Sequence, residues 1–274
     1  MKTKESDTDL RNMKENNRHA GSVAKENILI GRNAVSEALS AGRETAFIIA
    51  AKRSEGSVKK IIASARDRNI PVRYEERAVL DKISGGKNHQ GIIAYVSEYK
   101  YSSIDDMMLL AEQKGEDPFL LLLDGIEDPH NLGAIIRTAE CAGAHGIVIP
   151  KRRSVGVTET AAKVSAGASE HMMCTQVTNL SRTLEDLKKR GLWIVACDMD
   201  GKSIYPDGEE ALPDLTGPVG LVIGGEGSGI GRLIKEKCDF AVSIPAVGKI
   251  KSLNASNAAA VLMYEIRRQR NGKK

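Results

Sequence analysis

Through the C-terminal half of the chain, short apolar runs alternate with polar, glycine-containing loops and with stretches whose apolar residues recur at helical spacing. The runs at 119–124, 146–149, 193–197, 219–223 and 241–244 predict strands, and the periodic stretches at 131–142, 181–190, 230–237 and 256–269 predict helices. Regular alternation of this kind predicts a mostly parallel sheet covered by helices. The N-terminal part repeats the pattern on a smaller scale. Asn33 is expected to cap a helix running through Leu39, and Ala46-Phe47-Ile48-Ile49-Ala50 reads as a strand. Ser57 to Arg68 reads as a helix with Val58, Ile61, Ile62 and Ala65 on one face. Ile70 to Tyr74 is a second strand, Ala78 to Ile83 a short helix, and Ile92 to Val96 a closing strand.

This pattern divides the chain. Residues 27–97 are expected to form a compact α/β unit, and 118–274 a larger one. Residues 98–117, with a short helix from Ile104 to Glu112, are expected to connect them. Residues 1–26 mix Lys, Arg, Glu, Asp, Asn and Ser without apolar periodicity, too little to offset ordering entropy, and are expected to be a disordered tail.

Composition narrows the class. Of 274 residues, 41% are hydrophobic and 28% charged, the balance of an ordinary soluble protein. No stretch reaches the roughly 18 apolar residues of a membrane span, and the N-terminus lacks the apolar core of a secretory signal. Cys141, Cys174, Cys197 and Cys238 are widely separated without a CxxC, so reduced cysteines and a cytoplasmic location are expected, with no metal site. A net charge of +4 permits nucleic-acid binding through local patches without arguing for it.

The candidate chemistry lies in three loops that each follow an apolar run. They are Leu123-Asp124-Gly125-Ile126-Glu127-Asp128-Pro129-His130-Asn131-Leu132-Gly133-Ala134-Ile135-Ile136-Arg137, then Gly224-Gly225-Glu226-Gly227-Ser228-Gly229-Ile230, then Ile244-Pro245 leading to Ser252-Leu253-Asn254-Ala255-Ser256. In an open α/β sheet, ligands collect where loops leave the carboxyl ends of strands. Two nucleotide patterns fail on physical grounds. Residues 196–203 fit a loosened phosphate loop but carry Asp198 and Asp200 where phosphate would sit. The 224–231 loop misplaces the third glycine of a dinucleotide fingerprint. The Gly85-Gly86-Lys87-Asn88-His89-Gln90-Gly91 loop either contacts a phosphate backbone or is simply a turn before a strand.

Together the three loops resemble motifs 1, 2 and 3 of the SpoU (TrmH-type) RNA ribose 2′-O-methyltransferases of the SPOUT superfamily. The resemblance covers residues 119–270 and includes Asn131, Arg137, Glu226, Ser252 and Asn254 in the family's order and spacing. Ser165-Ala166-Gly167-Ala168 and Glu170 resemble the family between motifs 1 and 2. The N-terminal unit, ending in His89-Gln90-Gly91-Ile92, resembles the small ribosomal-protein-like substrate-binding domain of the subgroup that methylates a guanosine in 23S rRNA. The resemblance implies S-adenosylmethionine as methyl donor, a deep trefoil knot in the C-terminal half, a homodimer, an RNA partner and no metal.

Carried over residue by residue, it implies a cofactor pocket at the backbone of Gly224, Ile244 and Leu253. There glycine would admit the ligand, and the two apolar side chains could sandwich an adenine. Asn131 opens a helix and could cap it as well as orient a ribose. Arg137, six residues on, is expected to contact substrate. A free guanidinium stays protonated, so clamping a phosphate and stabilising a developing alkoxide is its preferred role, with a partial base role aided by that phosphate, or a surface ion pair, as the alternatives. Ser252 or Asn254 could cap the final helix, or together hold the nucleotide, with Glu226 fixing the network. Basic clusters at Lys151-Arg152-Arg153, at Lys249 with Lys251, and at Arg267-Arg268 with Arg270 could track RNA phosphates. The last of these could equally be a solvated helix end. Ala258 to Leu262 and Ile266 form an apolar face for a dimer interface or for the chain's own core. The reading is a methyltransferase acting on a guanosine ribose of 23S rRNA. A tRNA-directed relative or a non-catalytic ribosome-assembly factor is the alternative.

Overall fold

The computed structural model describes residues 27–205, 213–250 and 252–272; the tail expected at 1–26 and Lys251 lie outside the described residues. The first unit comprises β1 (Asn27–Ile30), α1 (Arg32–Ser40), β2 (Thr45–Ala51), α2 (Ser57–Asp67), β3 (Val72–Glu75), α3 (Arg77–Ile83) and β4 (Ile92–Val96). Its sheet runs β1-β4-β2-β3, with β4 antiparallel to both neighbours and β3 parallel to β2. Helices α1 and α2 cover one face; the stripe Val58, Ile61, Ile62 and Ala65 is buried as its spacing requires. Helix α3 covers part of the other face through Leu80.

One local expectation is corrected here. Gly31, at φ 102°, occupies the cap position of α1, not Asn33. The capping acceptor comes from 58 residues away, where Gln90 Oε1 accepts from Arg32 N at 3.0 Å. The 85–91 loop is likewise tied down. His89 is buried, with Nε2 2.9 Å from Asp81 Oδ1 and Nδ1 accepting from Gly91 N at 3.0 Å. Lys87 reaches Glu159 of the second unit at 3.0 Å. The loop is a latch that holds α1, β4 and the other unit together.

The remainder contains α4 (Ile104–Lys114), β5 (Phe119–Asp124), α5 (Pro129–Ala142), β6 (Gly146–Pro150), α6 (Glu159–Val164), β7 (Cys174–Val177), α7 (Leu180–Lys189), β8 (Trp193–Ser203), β9 (Val219–Gly224), α8 (Arg232–Lys235), β10 (Phe240–Ser243) and α9 (Ala255–Gly272). Six strands in the order β10-β8-β9-β5-β6-β7 pair in parallel throughout. Central β5 is buried from Phe119 to Leu123, which is why its sequence is an unbroken apolar run. Strand β8 extends to Ser203, so the 196–203 stretch is strand and not a phosphate loop. Strands β1 and β7 and helix α6 were absent from the sequence pattern; β1 is only four residues long, and Cys-Thr-Gln-Val of β7 is too short and too polar to announce a strand.

The two units meet through the 165–171 segment. Arg43 Nη1 lies 2.7 Å from Glu170 Oε1, with side chains 11% and 6% exposed, and the same guanidinium donates to Ser97 O from Nε and Nη2. His171 Nε2 lies 2.8 Å from Glu37 Oε2. Gly167, at φ 95°, lets α1 approach, since a Cβ there would overlap the Glu37 side chain. A nearly buried ion pair with further hydrogen bonds holds orientation more than it adds stability.

A buried histidine couples folding to pH. His145 is fully buried, and its Nδ1 accepts from Phe119 N at 3.0 Å. Burial, aided by the Lys114 charge, holds its pKa below the ordinary imidazole value, against the pull of Glu116. The unfolded chain therefore takes up the proton first as pH falls through about 6.5, so this contribution is full above that pH and is lost below it. Melting temperature is expected to fall as pH drops below about 6.5, and His145→Gln to flatten that part of the profile. An unaltered profile in His145→Gln would show that other groups carry the acid sensitivity.

Candidate active site

All three sequence loops leave carboxyl ends of strands in the parallel sheet. Residues 125–128 follow β5, 225–231 follow β9, and 244–254 follow β10. Strands β5 and β9 are neighbours, while the chain steps from β5 to β6 and β7 on one side and places β8 and β10 on the other. This is the switch point of the sheet, where diverging loops open a crevice. The first two loops touch backbone to backbone. Gly225 N donates to Asp124 O at 2.8 Å, and a Cβ on Gly225 would fall on the Gly125 carbonyl. Gly231 N donates to Asp124 Oδ2 at 2.8 Å, closing the second loop onto the end of β5.

Three polar residues, one from each loop, converge at this crossing. Asn131 Nδ2 donates to Glu226 Oε1 at 3.1 Å, and Asn254 Nδ2 donates to Asn131 Oδ1 at 3.0 Å. Asn254 Nδ2 also donates to Glu226 Oε1. Asn254 Oδ1 meanwhile accepts from Ser256 N at 2.9 Å and Ser256 Oγ at 2.6 Å, capping α9. One side chain thus starts the last helix and ties the first two loops together. Asn131 is only 8% exposed, and its pairing meets the demand that a buried amide be satisfied. Glu226 is exposed and spends Oε1 on two donors, leaving Oε2 free among the described residues to accept from a bound hydroxyl.

The cap of α5 is Asp128, whose Oδ1 accepts from His130 N at 2.9 Å, with Pro129 in the first helical position. The helix therefore starts two residues before the expected 131. Asn131 stands inside its first turn, not at its cap, and its side chain is wholly available to the cluster. Arg137 is exposed and takes no part in the cluster. Six residues of helix rotate it about 240° from Asn131. Ser252 is exposed and makes no side-chain bond among the described residues.

The residues expected to line a cofactor pocket divide. The space beside the Gly224 Cα is filled by the backbone of Gly229 and Ile230, so a small residue is needed there for the loop to close on itself. Ile244 is half-buried against the core. Leu253 is 49% exposed, and its amide has no partner among the described residues. An exposed apolar side chain beside an unpaired amide suits a flat heterocycle with acceptor atoms on its edge.

A cleft of about 540 Å³ opens beside the cluster, bounded by Asp124, Gly125, Asn131, Arg153, Glu226 and Gly229. Arg153 is its one cationic wall among the described residues, on a loop held by Val155 N donating to Ile126 O at 2.8 Å. Of the sequence's basic clusters, 151–153 thus reaches the site. The C-terminal one does not. Arg268 is spent on Glu265, and Arg270 donates to Asp117 O, Pro118 O and Gly217 O at 2.8, 3.1 and 2.7 Å, fastening α9 to the start of β5. Of the apolar face of α9, Ala259, Leu262 and Ile266 are buried in the chain's own core beside Met263, while Ala258, Ala260 and Val261 are half-buried. Among the described residues, no group of three or more His, Cys, Asp or Glu side chains is placed to hold a metal ion, and no helix is long and apolar enough to cross a membrane.

Residues 118–264 match the SpoU rRNA Methylase family, and residues 28–102 match the RNA 2′-O ribose methyltransferase substrate-binding family. YacO of Bacillus subtilis strain 168, assigned by its name to the TrmH family of tRNA/rRNA methyltransferases, is 48% identical over 89% of this chain and 96% of its own. A solved RNA 2′-O ribose methyltransferase superposes with a TM-score of 0.72 at 26% identity, covering 90% of each chain. AviRb from Streptomyces viridochromogenes, a SpoU methyltransferase solved in complex with AdoMet, shares the fold with a TM-score of 0.75 at 24% identity, over 90% of this chain and 91% of that one.

Proposed function

Since the chain belongs to the SpoU family of RNA methyltransferases, we propose that it transfers a methyl group from S-adenosylmethionine to the ribose 2′-hydroxyl of a guanosine in 23S rRNA. The observation that carries this reading is the Asn131–Glu226–Asn254 cluster, which joins all three loops at the switch point of the sheet. Bound S-adenosylmethionine supplies an activated methyl carbon. The chain's own work is placement: Leu253 and Ile244 form an apolar wall for the adenine, and the Glu226 and Asn131 edge orients the ribose. A displacement at an activated carbon gains most from near-attack geometry. Arg153 gives the cleft a cation for the nucleotide's phosphate.

Arg137 clamps the target phosphate and stabilises the alkoxide as it develops. Because it faces away from the cluster within one chain, the complete site is that of a homodimer in which a second copy adjoins α5. A knotted C-terminal half is part of this reading and rests on the family membership. Residues 27–97 act as the RNA substrate-binding domain, 98–117 as the connector and 118–274 as the methyltransferase domain, working in the cytoplasm.

Mapping 2′-O-methylation across rRNA and tRNA in cells with and without this gene tests the reading. Loss at a single 23S rRNA guanosine is expected. Loss confined to tRNA would transfer the activity to that substrate, and unaltered rRNA and tRNA would overturn the enzymatic assignment.

A further inference from the structure

The first unit carries a feature that sheet packing alone does not use up. On the face of its sheet opposite α1 and α2, Phe47 of β2 and Tyr95 of β4 sit in register and stack with ring centroids 4.3 Å apart and planes 18° from parallel. Arg73 of β3 lies over the Phe47 ring, its Cζ 4.3 Å from the centroid. Helix α3 covers this face only where Ile30, Ile49, Ala51 and Ile93 lie, and Phe47 and Tyr95 remain half-buried beyond it. The result is a column of three flat groups running across three strands and ending at the β3 edge of the sheet.

An aromatic cross-strand pair stabilises a sheet, which is reason enough for Phe47 and Tyr95. It does not account for Arg73. That side chain is exposed, and among the described residues its guanidinium makes no hydrogen bond or ion pair, only the ring contact. Its neighbour Arg66 shows the contrast, donating from Nη2 to Tyr74 Oη at 2.9 Å. A guanidinium pressed on a ring keeps its other face and its rim of N–H donors for a partner, and loses little rotamer freedom on binding one. Aromatic residues make up only 4% of this chain, so a stacked pair capped by a flat cation is a concentrated resource.

We propose that Arg73, backed by Phe47 and Tyr95, is a stacking site for an unpaired nucleobase of the RNA substrate. The inference rests on the reading of the chain as an RNA methyltransferase, and deepens it by naming what its first unit recognises. A base within a duplex has both faces occupied by its neighbours, so a platform of this kind selects single-stranded loops, bulges or ends. Stacking on a plane is tolerant of base identity, and the guanidinium rim adds contacts to phosphate or base oxygens. The Arg73 end of the column lies on β3, the strand farthest from β1, against which α6 packs. It would therefore hold RNA at a distance from the reacting ribose and set which structural context reaches the cleft.

The test uses the full chain with two probes: a ten-nucleotide single-stranded RNA carrying a central 2-aminopurine, and rRNA from cells lacking this gene. The wild-type protein is expected to change 2-aminopurine fluorescence on binding and to methylate the rRNA. Arg73→Ala is expected to bind the oligonucleotide about tenfold more weakly, with the fluorescence change lost and the melting temperature kept. Arg73→Lys retains the charge and loses the plane, so it should resemble Arg73→Ala; binding restored by lysine would overturn stacking in favour of charge alone. A wild type that methylates rRNA while all three proteins bind the oligonucleotide alike would overturn the platform and leave the enzyme reading intact. A wild type that neither binds nor methylates RNA would remove the enzyme reading and this inference with it.

Discussion

Arg137→Ala is expected to lower methyl transfer by about 10²–10³-fold while S-adenosylmethionine still binds. The separation of effects follows from position. Arg137 is exposed on α5 and shares no bond with Asn131, Glu226 or Asn254, so its loss leaves the cluster and the 244–254 loop as they are. Arg137→Lys should recover little, because a point charge does not reproduce a planar, bidentate clamp on phosphate. Calorimetric titration with S-adenosylmethionine and single-turnover transfer to rRNA measure the two quantities separately. Unaltered turnover in Arg137→Ala would take Arg137 out of the mechanism, and loss of cofactor binding would assign it to the pocket.

The second large effect is expected at Gly225. A Cβ there meets the carbonyl of Gly125, and both partners are backbone, so no side chain can swing aside to relieve the overlap. Gly225→Ala must push the β9 loop off the β5 loop, breaking the Gly225 N to Asp124 O bond and moving Glu226 away from Asn131. Overpacking at such a site costs about 1–3 kcal/mol and at times more. Here the displaced loops are also the site, so methyl transfer should fall even in the fraction that remains folded. Denaturant unfolding and activity on the same preparation check this. A variant with wild-type stability and turnover would show that the two loops tolerate separation. Gly227, where added bulk meets nothing within 4 Å, provides the contrast: Gly227→Ala meets only the cost of its φ of 85° and should leave the two loops in contact.

The central strands were legible in the sequence because the sheet buries them on both faces, whereas β3 and β10, at the sheet edges, were read from short runs that are only partly buried. Phe119 to Leu123 and Val219 to Ile223 are continuous apolar runs because helices pack above and below them. The elements that escaped notice, β1, β7 and α6, are short, and the last two are mixed in polarity. Their place is fixed by neighbours: β7 pairs with β6, and α6 packs against α5 and β1. The same reason explains the miss at α1. Sequence proximity pointed to Asn33 as the cap, whereas the acceptor is Gln90, and no local pattern can report a partner 58 residues away.

The site divides along the same line. Asn131, Glu226 and Asn254 stand in three segments whose spacing resembles one family, so the sequence by itself determined the chemistry and the parallel sheet that would display it. Tertiary structure alone decided that Asn254 binds both other residues while capping α9, that Asp128 and not Asn131 caps α5, and that Arg137 points elsewhere. It also decided that Arg43 and Glu170, 127 residues apart, lock the two units together. Periodicity and propensity act over a few residues and are written in the chain. Hydrogen bonds between loops, the direction of a side chain around a helix, and the fit of one backbone against another depend on how distant strands are ordered, and that order exists only once the sheet has formed.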